Sequence, residues 1–453
     1  MRRIGYFEAG DAVRGWGVLA VILGHCATAA LFAEALRGDP AQLQVQFAAN
    51  DVGWENLFDN HQIGAAIASV QLTVYLFFGL SSYLLARPYI AASLGQVRRA
   101  PPIGRYVKHR LGRVVPVFWF MIVVTMVQFG TDGTTALDLV ATFLFGQYWT
   151  SAPFNVHLTQ AWTLNIEAHF YVALPIVAAA GMWIYARGGR FRGPLSFVPM
   201  VVVCTAAYLL ATTWIPDTTV PSQSPLGGLV VFVPGVLIAL VEAKWGHRLK
   251  ALPWLPVASV VLVIAGLALT YKQFSLASPG SIAERNYLTI AAGLILAALI
   301  FWQASERPTW AFMRWRWVHW IGERSFSIYI SHGAILYEVR DFGAGQPTSG
   351  RHMLLLLVIM VPLALIVGAI LYRVVERPMI RLSRGERPLF RDGPVVRKGS
   401  TPPTIGTTPE PVPVPASESD GAEVVLGDPT PAPVAPPEAD PTRPGGPAPE
   451  VGR

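Results

Sequence analysis

Ten long apolar segments, separated by shorter charged or polar stretches, constrain this chain more than any other feature of its sequence. They lie at 12–33, 66–86, 114–129, 162–186, 195–214, 226–243, 254–271, 287–304, 321–338 and 353–373. Each is long enough, or nearly so, to cross the hydrocarbon core of a bilayer, which takes about 20 apolar residues in a helix. Because 53% of the residues are hydrophobic and only 14% are charged, a soluble globule is excluded. We therefore predict an all-α polytopic membrane protein with ten transmembrane helices.

Lysine and arginine are concentrated in alternate loops, and this pattern indicates the orientation of the chain. The basic loops are 87–113, 187–193, 244–251 and 305–320. The loops between them are poor in both residues, and 130–161 contains neither. Since short basic loops stay in the cytoplasm, we expect both termini to be cytoplasmic.

An eleventh apolar stretch, 137–149, is only thirteen residues long. If it crossed the membrane, every later basic loop would move to the outer side. We therefore expect it to form a short re-entrant or interfacial segment in place of a span.

The end of the chain differs from the rest in composition. Beyond residue 400 it is rich in Pro, Ala, Gly, Thr and Glu, and it has eight acidic residues against two basic ones. Such a composition does not bury a core. We therefore predict a transmembrane domain at 1–390 and a disordered, Pro-rich cytoplasmic tail at 391–453.

Two classes of site are not expected. The basic residues are scattered between apolar segments, so nucleic acid is not predicted as a partner. Cys26 and Cys204 both lie in apolar segments, and the chain has no HExxH motif or Cys–His cluster. The sequence therefore predicts neither a disulfide framework nor a metal site.

Two basic side chains interrupt the first apolar segment. Arg14 and His25 are eleven residues apart, which at ~100° and ~1.5 Å per residue puts both on one face of a helix, roughly 16 Å apart along its axis. Ionisable groups inside a membrane helix usually face the bundle interior or a wet cavity. Asp11 is placed to pair with Arg14. Arg14 is either a topology anchor or a functional cation, and His25 is either a structural histidine or a general acid or base.

Three other segments carry polar side chains among apolar ones. Arg110 and Arg113 share a face at the cytoplasmic start of the third helix, where two guanidiniums suit a multiply charged phosphate, although topology alone also explains them. Glu167 lies near the outer end of its segment, either as a structural partner of a cation or as a proton acceptor or hydroxyl ligand. Tyr329 and His332 belong to a polar stripe that either joins helices or lines a substrate cavity.

Together these residues resemble the acyltransferase-3 family of integral-membrane O-acyltransferases. Arg14 and His25 match its pattern of an arginine, ten residues and a histidine. The other matching motifs are YLFFGLSSYLLARP, Arg110 and Arg113 before Pro116, Trp162-Thr-Leu-Asn-Ile-Glu167 with Phe170-Tyr171, Ser327-Ile-Tyr329-Ile-Ser-His332, and Glu376-Arg377-Pro378. The resemblance covers roughly residues 8–380. The chain departs from the pattern at Ser81-Ser82, where the family usually has Ser-Gly.

The resemblance implies transfer of an acyl group, often acetyl, from cytoplasmic acyl-CoA to a hydroxyl of a carbohydrate, glycolipid, cell-wall glycan or natural product. Acyl-CoA, often acetyl-CoA, is then a co-substrate, no cofactor stays bound, and membrane lipids surround the protein. The implied site residues are His25 and Glu167 as catalytic groups, Arg14, Arg110 and Arg113 as donor-binding or site-orienting groups, and Asp11, Tyr329 and His332 as cavity-lining groups.

Two other functions compete with acyl transfer. A proton-coupled transporter or flippase would use His25 and Glu167 as a proton relay, but it leaves the arginine pair unexplained. A membrane scaffold that recruits partners through the Pro-rich tail explains none of the intramembrane charges.

Overall fold

The computed structural model describes residues 9–32, 72–94, 101–131, 133–147, 156–187, 228–276, 282–305, 310–342 and 349–385, together with a few isolated positions between them. Within these ranges all regular secondary structure is helical, which confirms the predicted class. The α-helices are α1 (Gly10–Phe32), α2 (Leu72–Ser93), α3 (Ile103–Phe129), α4 (Ala136–Phe143), α5 (Trp162–Arg187), α6 (Val233–Leu249), α7 (Leu255–Leu276), α8 (Ile282–Ala304), α9 (Arg316–Val339), α10 (Ser349–Leu371) and α11 (Arg377–Ser383). Short 3₁₀ turns lie at Val156–Ala161, Leu229–Phe232 and Ala311–Arg314, and a π-helical turn lies at Tyr372–Glu376.

Seven helical stretches of the described chain are long and apolar enough to cross a membrane, and they correspond to all or most of α1, α3, α5, α6, α7, α8 and α10. The helices α2 and α9 are also long, with 22 and 24 residues, but they carry more polar side chains. These helices match nine of the ten predicted spans. The remaining span, 195–214, lies outside the described residues apart from isolated positions, and so does the predicted tail at 391–453. The protein is therefore a multi-pass membrane protein.

Some helix boundaries differ from the hydropathy pattern. Helix α3 begins at Ile103, well before the predicted 114, and α2 continues beyond 86 through Arg87 and Pro88. Hydropathy marks only the part of a helix that suits lipid, whereas backbone hydrogen bonding continues through basic residues beyond it. Both helices are thus longer than the apolar segments that predict them.

The apolar stretch at 137–149 forms the short helix α4 of only 8 residues. A helix of that length rises about 12 Å, which is far less than the hydrocarbon thickness. It begins with a capping box, in which the Thr135 hydroxyl accepts from the Asp138 N–H and the Asp138 side chain accepts from the Thr135 N–H. The prediction that this stretch does not span is confirmed.

Helix α9 forms the centre of the part of the bundle that carries the candidate site. It packs against α1, α10, α3 and the 3₁₀ segment before α5. Its residues 327–334 are all buried, including Ser327, Ser331 and His332. Cys26 of α1 is a free, buried thiol in the apolar contact with α9 and α10. A membrane helix surrounded by protein can carry polar side chains, and this explains the low hydropathy of α9.

Two glycines let α1 and α9 approach closely. A Cβ atom at Gly322 would lie 1.9 Å from the carbonyl oxygen of Asp11, and one at Gly15 would lie 2.3 Å from that of Val318. Both obstacles are backbone atoms, so the helices would have to move apart to admit a side chain. This contact sets the distance between the polar residues of α1 and those of α9.

We expect Gly322→Ala to destabilise the detergent-solubilised protein by about 1–3 kcal/mol, because overpacking forces the backbones apart. A lower melting temperature in fluorescence-detected size-exclusion chromatography measures this loss. Gly104→Ala in α3 is the matched control, since no atom lies within 4 Å of its added Cβ. Equal melting temperatures for the two variants would contradict the close approach of α1 and α9.

Candidate active site

Helices α1 and α9 bring two histidines together inside the bundle. The ring centroids of His25 and His332 are 4.9 Å apart, with the planes at 72°. His25 Nδ1 lies 2.9 Å from the carbonyl oxygen of Val21, and His332 Nδ1 contacts the carbonyl oxygen of Tyr329. A carbonyl oxygen can only accept, so each Nδ1 carries a proton, and in the neutral form of the ring the lone pair is then on Nε2. The sequence did not predict this histidine pair, because the spacing of Arg14 and His25 says nothing about which other helix His25 meets.

The two imidazoles differ in their surroundings. His332 is fully buried, and its Nε2 has no hydrogen-bond partner in the described part of the chain. His25 is only partly buried. A neutral imidazole whose Nε2 lone pair is not used by another hydrogen bond has the protonation state that a general base requires.

Three arginines lie on the same side of the bundle as the start of α1, namely Arg14, Arg110 and Arg113. The predicted pairing of Arg14 with Asp11 is confirmed by a distance of 3.1 Å between Nη1 and Oδ1. Arg14 is also within electrostatic range of Arg110, Arg113 and Glu167. Helices α1, α3 and α5 therefore bring together ionisable residues that are far apart in the sequence.

The three arginines are held differently. Arg113 Nε lies 3.3 Å from Glu376 Oε1, and Arg14 pairs with Asp11. Arg110 lies 5.8 Å from the ring centroid of Tyr171 and makes no carboxylate contact among the described residues. Arg110 is therefore the guanidinium with the most hydrogen-bonding capacity left for a ligand.

Glu167 lies among these arginines and not beside the histidines. It accepts a hydrogen bond of 3.0 Å from Ser81 Oγ, and Tyr171 of the same helix lies close to it. Within the described ranges no hydrogen bond joins it to His25 or His332. The expectation that Glu167 faces the outer side of the membrane stays a prediction, and the structure adds that Glu167 lies near the arginines.

Helix α5 begins deep inside the bundle. In the turn before it, Gln160 Nε2 donates to the Ile330 carbonyl oxygen at 2.9 Å. The Tyr329 hydroxyl donates to the Gln160 carbonyl oxygen at 2.9 Å and lies 3.0 Å from Thr163 Oγ1. Since residues 329 and 330 lie well inside α9, the first turn of α5 is buried too. Hydropathy could not reveal how deep in the bundle α5 begins, because the segment before α5 does not cross the membrane.

The polar stripe of α9 fulfils the first of the two roles left open by the sequence, that of joining helices, while the lining of a substrate cavity stays a prediction. Tyr329 joins α9 to the start of α5 through the hydrogen bonds given above. Ser327 joins α9 to Glu376, with 2.6 Å between Oγ and Oε2. His332 instead presents a buried nitrogen with no partner in the described chain. The contacts of Glu376 were not predicted. A carboxylate directly after a long apolar segment does indicate that a cationic or hydroxyl partner lies nearby.

Within the described residues no group of three or more His, Cys, Asp or Glu side chains is placed to hold a metal ion. The polar side chains described above comprise two imidazoles, three guanidiniums and three carboxylates, with hydroxyls that bind two of those carboxylates.

Known proteins are similar to this chain over most of its length. The acyltransferase-3 family model, described as an acyltransferase domain, matches residues 8–373. "Acyltransferase MdmB" of Streptomyces mycarofaciens is 22% identical over 371 residues, covering 75% of this chain and 89% of the relative. "Putative peptidoglycan O-acetyltransferase YrhL" of Bacillus subtilis (strain 168) is 23% identical over 335 residues, covering 68% of this chain and 50% of that protein. The chain thus spans about half the length of the Bacillus protein. No solved structure matches the chain significantly.

Proposed function

The chain belongs to the acyltransferase-3 family of membrane O-acyltransferases, and from this premise we propose that it moves an acyl group from acyl-CoA to an acceptor hydroxyl. The donor is acetyl-CoA, and the acceptor is a carbohydrate, glycolipid, cell-wall glycan or natural product. The name of the Bacillus relative supports a cell-wall glycan, while that of the Streptomyces relative supports acyl transfer in general. The protein acts in the cell membrane with both termini cytoplasmic, as its basic loops indicate.

The observation that carries this proposal is the hydrogen bonding of His25. Its Nδ1–H donates to Val21 of its own helix, which fixes the tautomer and leaves the Nε2 lone pair for a proton. A side chain that remains neutral and accessible inside a membrane bundle is suited to take a proton from a bound hydroxyl.

In the proposed reaction, His25 Nε2 takes the proton of the acceptor hydroxyl while that oxygen attacks the carbonyl carbon of the thioester. The new C–O bond forms and the C–S bond breaks. The proton held on His25 then passes to the departing thiolate, so CoA leaves as the free thiol. The products are an O-acyl ester and CoA, and no further reactant is needed.

The arginines form the donor side of the proposed site. Arg110 and Arg113 bind the CoA phosphates, for which guanidiniums are the best-suited side chains, and Arg14 orients the donor between them and His25. Because Glu167 lies among the arginines, its role is to orient them by charge and not to react with the hydroxyl. His332 lines the space beside His25 on the acceptor side.

Membranes containing the protein should transfer label from acetyl-labelled acetyl-CoA to a lipid, glycan or small product detected by mass spectrometry. Control membranes lacking the protein should not. Absence of transfer, together with proton-coupled uptake in proteoliposomes without acyl-CoA, would favour a transporter or flippase. If transfer stays intact when residues 399–453 are deleted, the scaffold hypothesis loses its main support.

A further inference from the structure

Glu376 is a buried carboxylate that the proposed reaction leaves without a role. It is 0% exposed. Its Oε2 accepts from Ser327 Oγ at 2.6 Å, and its Oε1 accepts from Arg113 Nε at 3.3 Å. The three side chains come from the turn after α10, from α9 and from α3. Since a buried charge without partners is strongly unfavourable, these two contacts are what allow the carboxylate to lie here.

The backbone around Glu376 fixes it against α3. The residue ends the π-helical turn Tyr372–Glu376, and α11 follows at once. Helix α11 packs on α3 so closely that a Cβ at Gly112 would lie 2.5 Å from the Ser383 Cβ. Wide π-turns of this kind often occur at functional sites. Glu376 is therefore held beside α3 by packing on its C-terminal side.

The contact with Glu376 uses only one edge of the Arg113 guanidinium. The ion pair is made through Nε, and the two terminal nitrogens of Arg113 form no hydrogen bond within the part of the chain that the structure describes. A guanidinium held at Nε has a fixed plane, and both terminal groups remain available for a bidentate contact. Lysine has no equivalent of Nε and could not be held in this way.

We propose that Glu376 and Ser327 are positioning residues that hold Arg113 by its Nε edge, so that its terminal nitrogens bind a phosphate of acyl-CoA. This inference rests on the proposed function, because it takes acyl-CoA as the donor. Neither Glu376 nor Ser327 touches the donor. Their effect on the reaction passes through Arg113.

The test compares two donors in label transfer, acetyl-CoA and acetyl-pantetheine, which carries the same thioester without the phosphates. Glu376→Gln keeps the size of the side chain but removes its charge. We expect it to raise the KM for acetyl-CoA about tenfold with kcat changed less than about threefold. Kinetics with acetyl-pantetheine should stay as in the wild type, because that donor has no phosphate for Arg113 to bind.

Glu242→Gln is the matched control. Glu242 is also paired, with Arg87 at 3.0 Å and the Tyr83 hydroxyl at 2.8 Å, but it joins α2 to α6 away from Arg113. Its loss should leave the preference between the two donors unchanged. In an Arg113→Lys background, Glu376→Gln should produce no further rise in KM that is selective for acetyl-CoA, since the Nε contact that orients the terminal nitrogens is already absent.

If Glu376→Gln lowers the rate of label transfer by the same factor with both donors, Glu376 only supports the fold. That result would overturn the proposal. So would an unchanged KM for acetyl-CoA in Glu376→Gln, which would leave the proposed function intact. If Glu376→Gln does not accumulate, Ser327→Ala decides, because it keeps the ion pair and should raise the KM for acetyl-CoA alone about threefold. A wild-type protein that transfers label from neither donor would overturn both proposals.

Discussion

Replacing His25 by alanine is expected to lower acyl transfer by about 10²–10⁴-fold, the usual contribution of a general base. The variant should still fold, because the hydrogen bond of His25 is to Val21 on its own helix and its loss breaks no hydrogen bond between helices. The measurement is label transfer from acetyl-CoA, normalised to the folded protein recovered in detergent.

His169→Ala provides the matched control for His25→Ala. His169 is also a partly buried histidine whose Nδ1 bonds a carbonyl oxygen one turn earlier, that of Asn165 at 2.7 Å. It is not part of the histidine pair of α1 and α9. We expect its variant to keep most of the transfer activity. A His25→Ala protein with activity close to that of His169→Ala would exclude His25 as the base.

Replacing Arg110 by alanine is expected to raise the acetyl-CoA concentration for half-maximal transfer roughly 10- to 100-fold. Hydrogen bonds to charged groups contribute about 1.5–3 kcal/mol, and each 1.4 kcal/mol is about tenfold in affinity. Arg110 is a cleaner test than Arg113. Removing Arg113 would leave Glu376 buried without its cation, and this costs about 3–5 kcal/mol of stability.

Arg105→Ala is the control for the arginine prediction. Arg105 is an exposed residue of the same helix, so the two variants lose the same charge from α3. The control should show the donor dependence of the wild type. An Arg110→Ala protein with an unchanged requirement for acetyl-CoA would contradict the assignment of Arg110 to the phosphates.

The local features of the chain follow from its sequence. Helical periodicity predicts the pairing of Asp11 with Arg14 and the shared face of Arg110 and Arg113, because residues three apart are neighbours in any α-helix. Apolar length predicts the all-α class and the short helix α4. Hydropathy places helix ends less well, as the early start of α3 at Ile103 illustrates, since basic residues extend a helix past the membrane.

The arrangement of the site is decided by the tertiary structure. His25 and His332 are more than 300 positions apart, and Arg113 and Glu376 are 263 apart, so no periodic pattern connects them. Lipid is as apolar as the faces of the helices, and hydrophobicity therefore does not choose which helices pack together. Close contacts such as that of Gly322 with Asp11 make that choice. The sequence by itself determined which helices carry polar residues, and only their packing decided which of those residues meet.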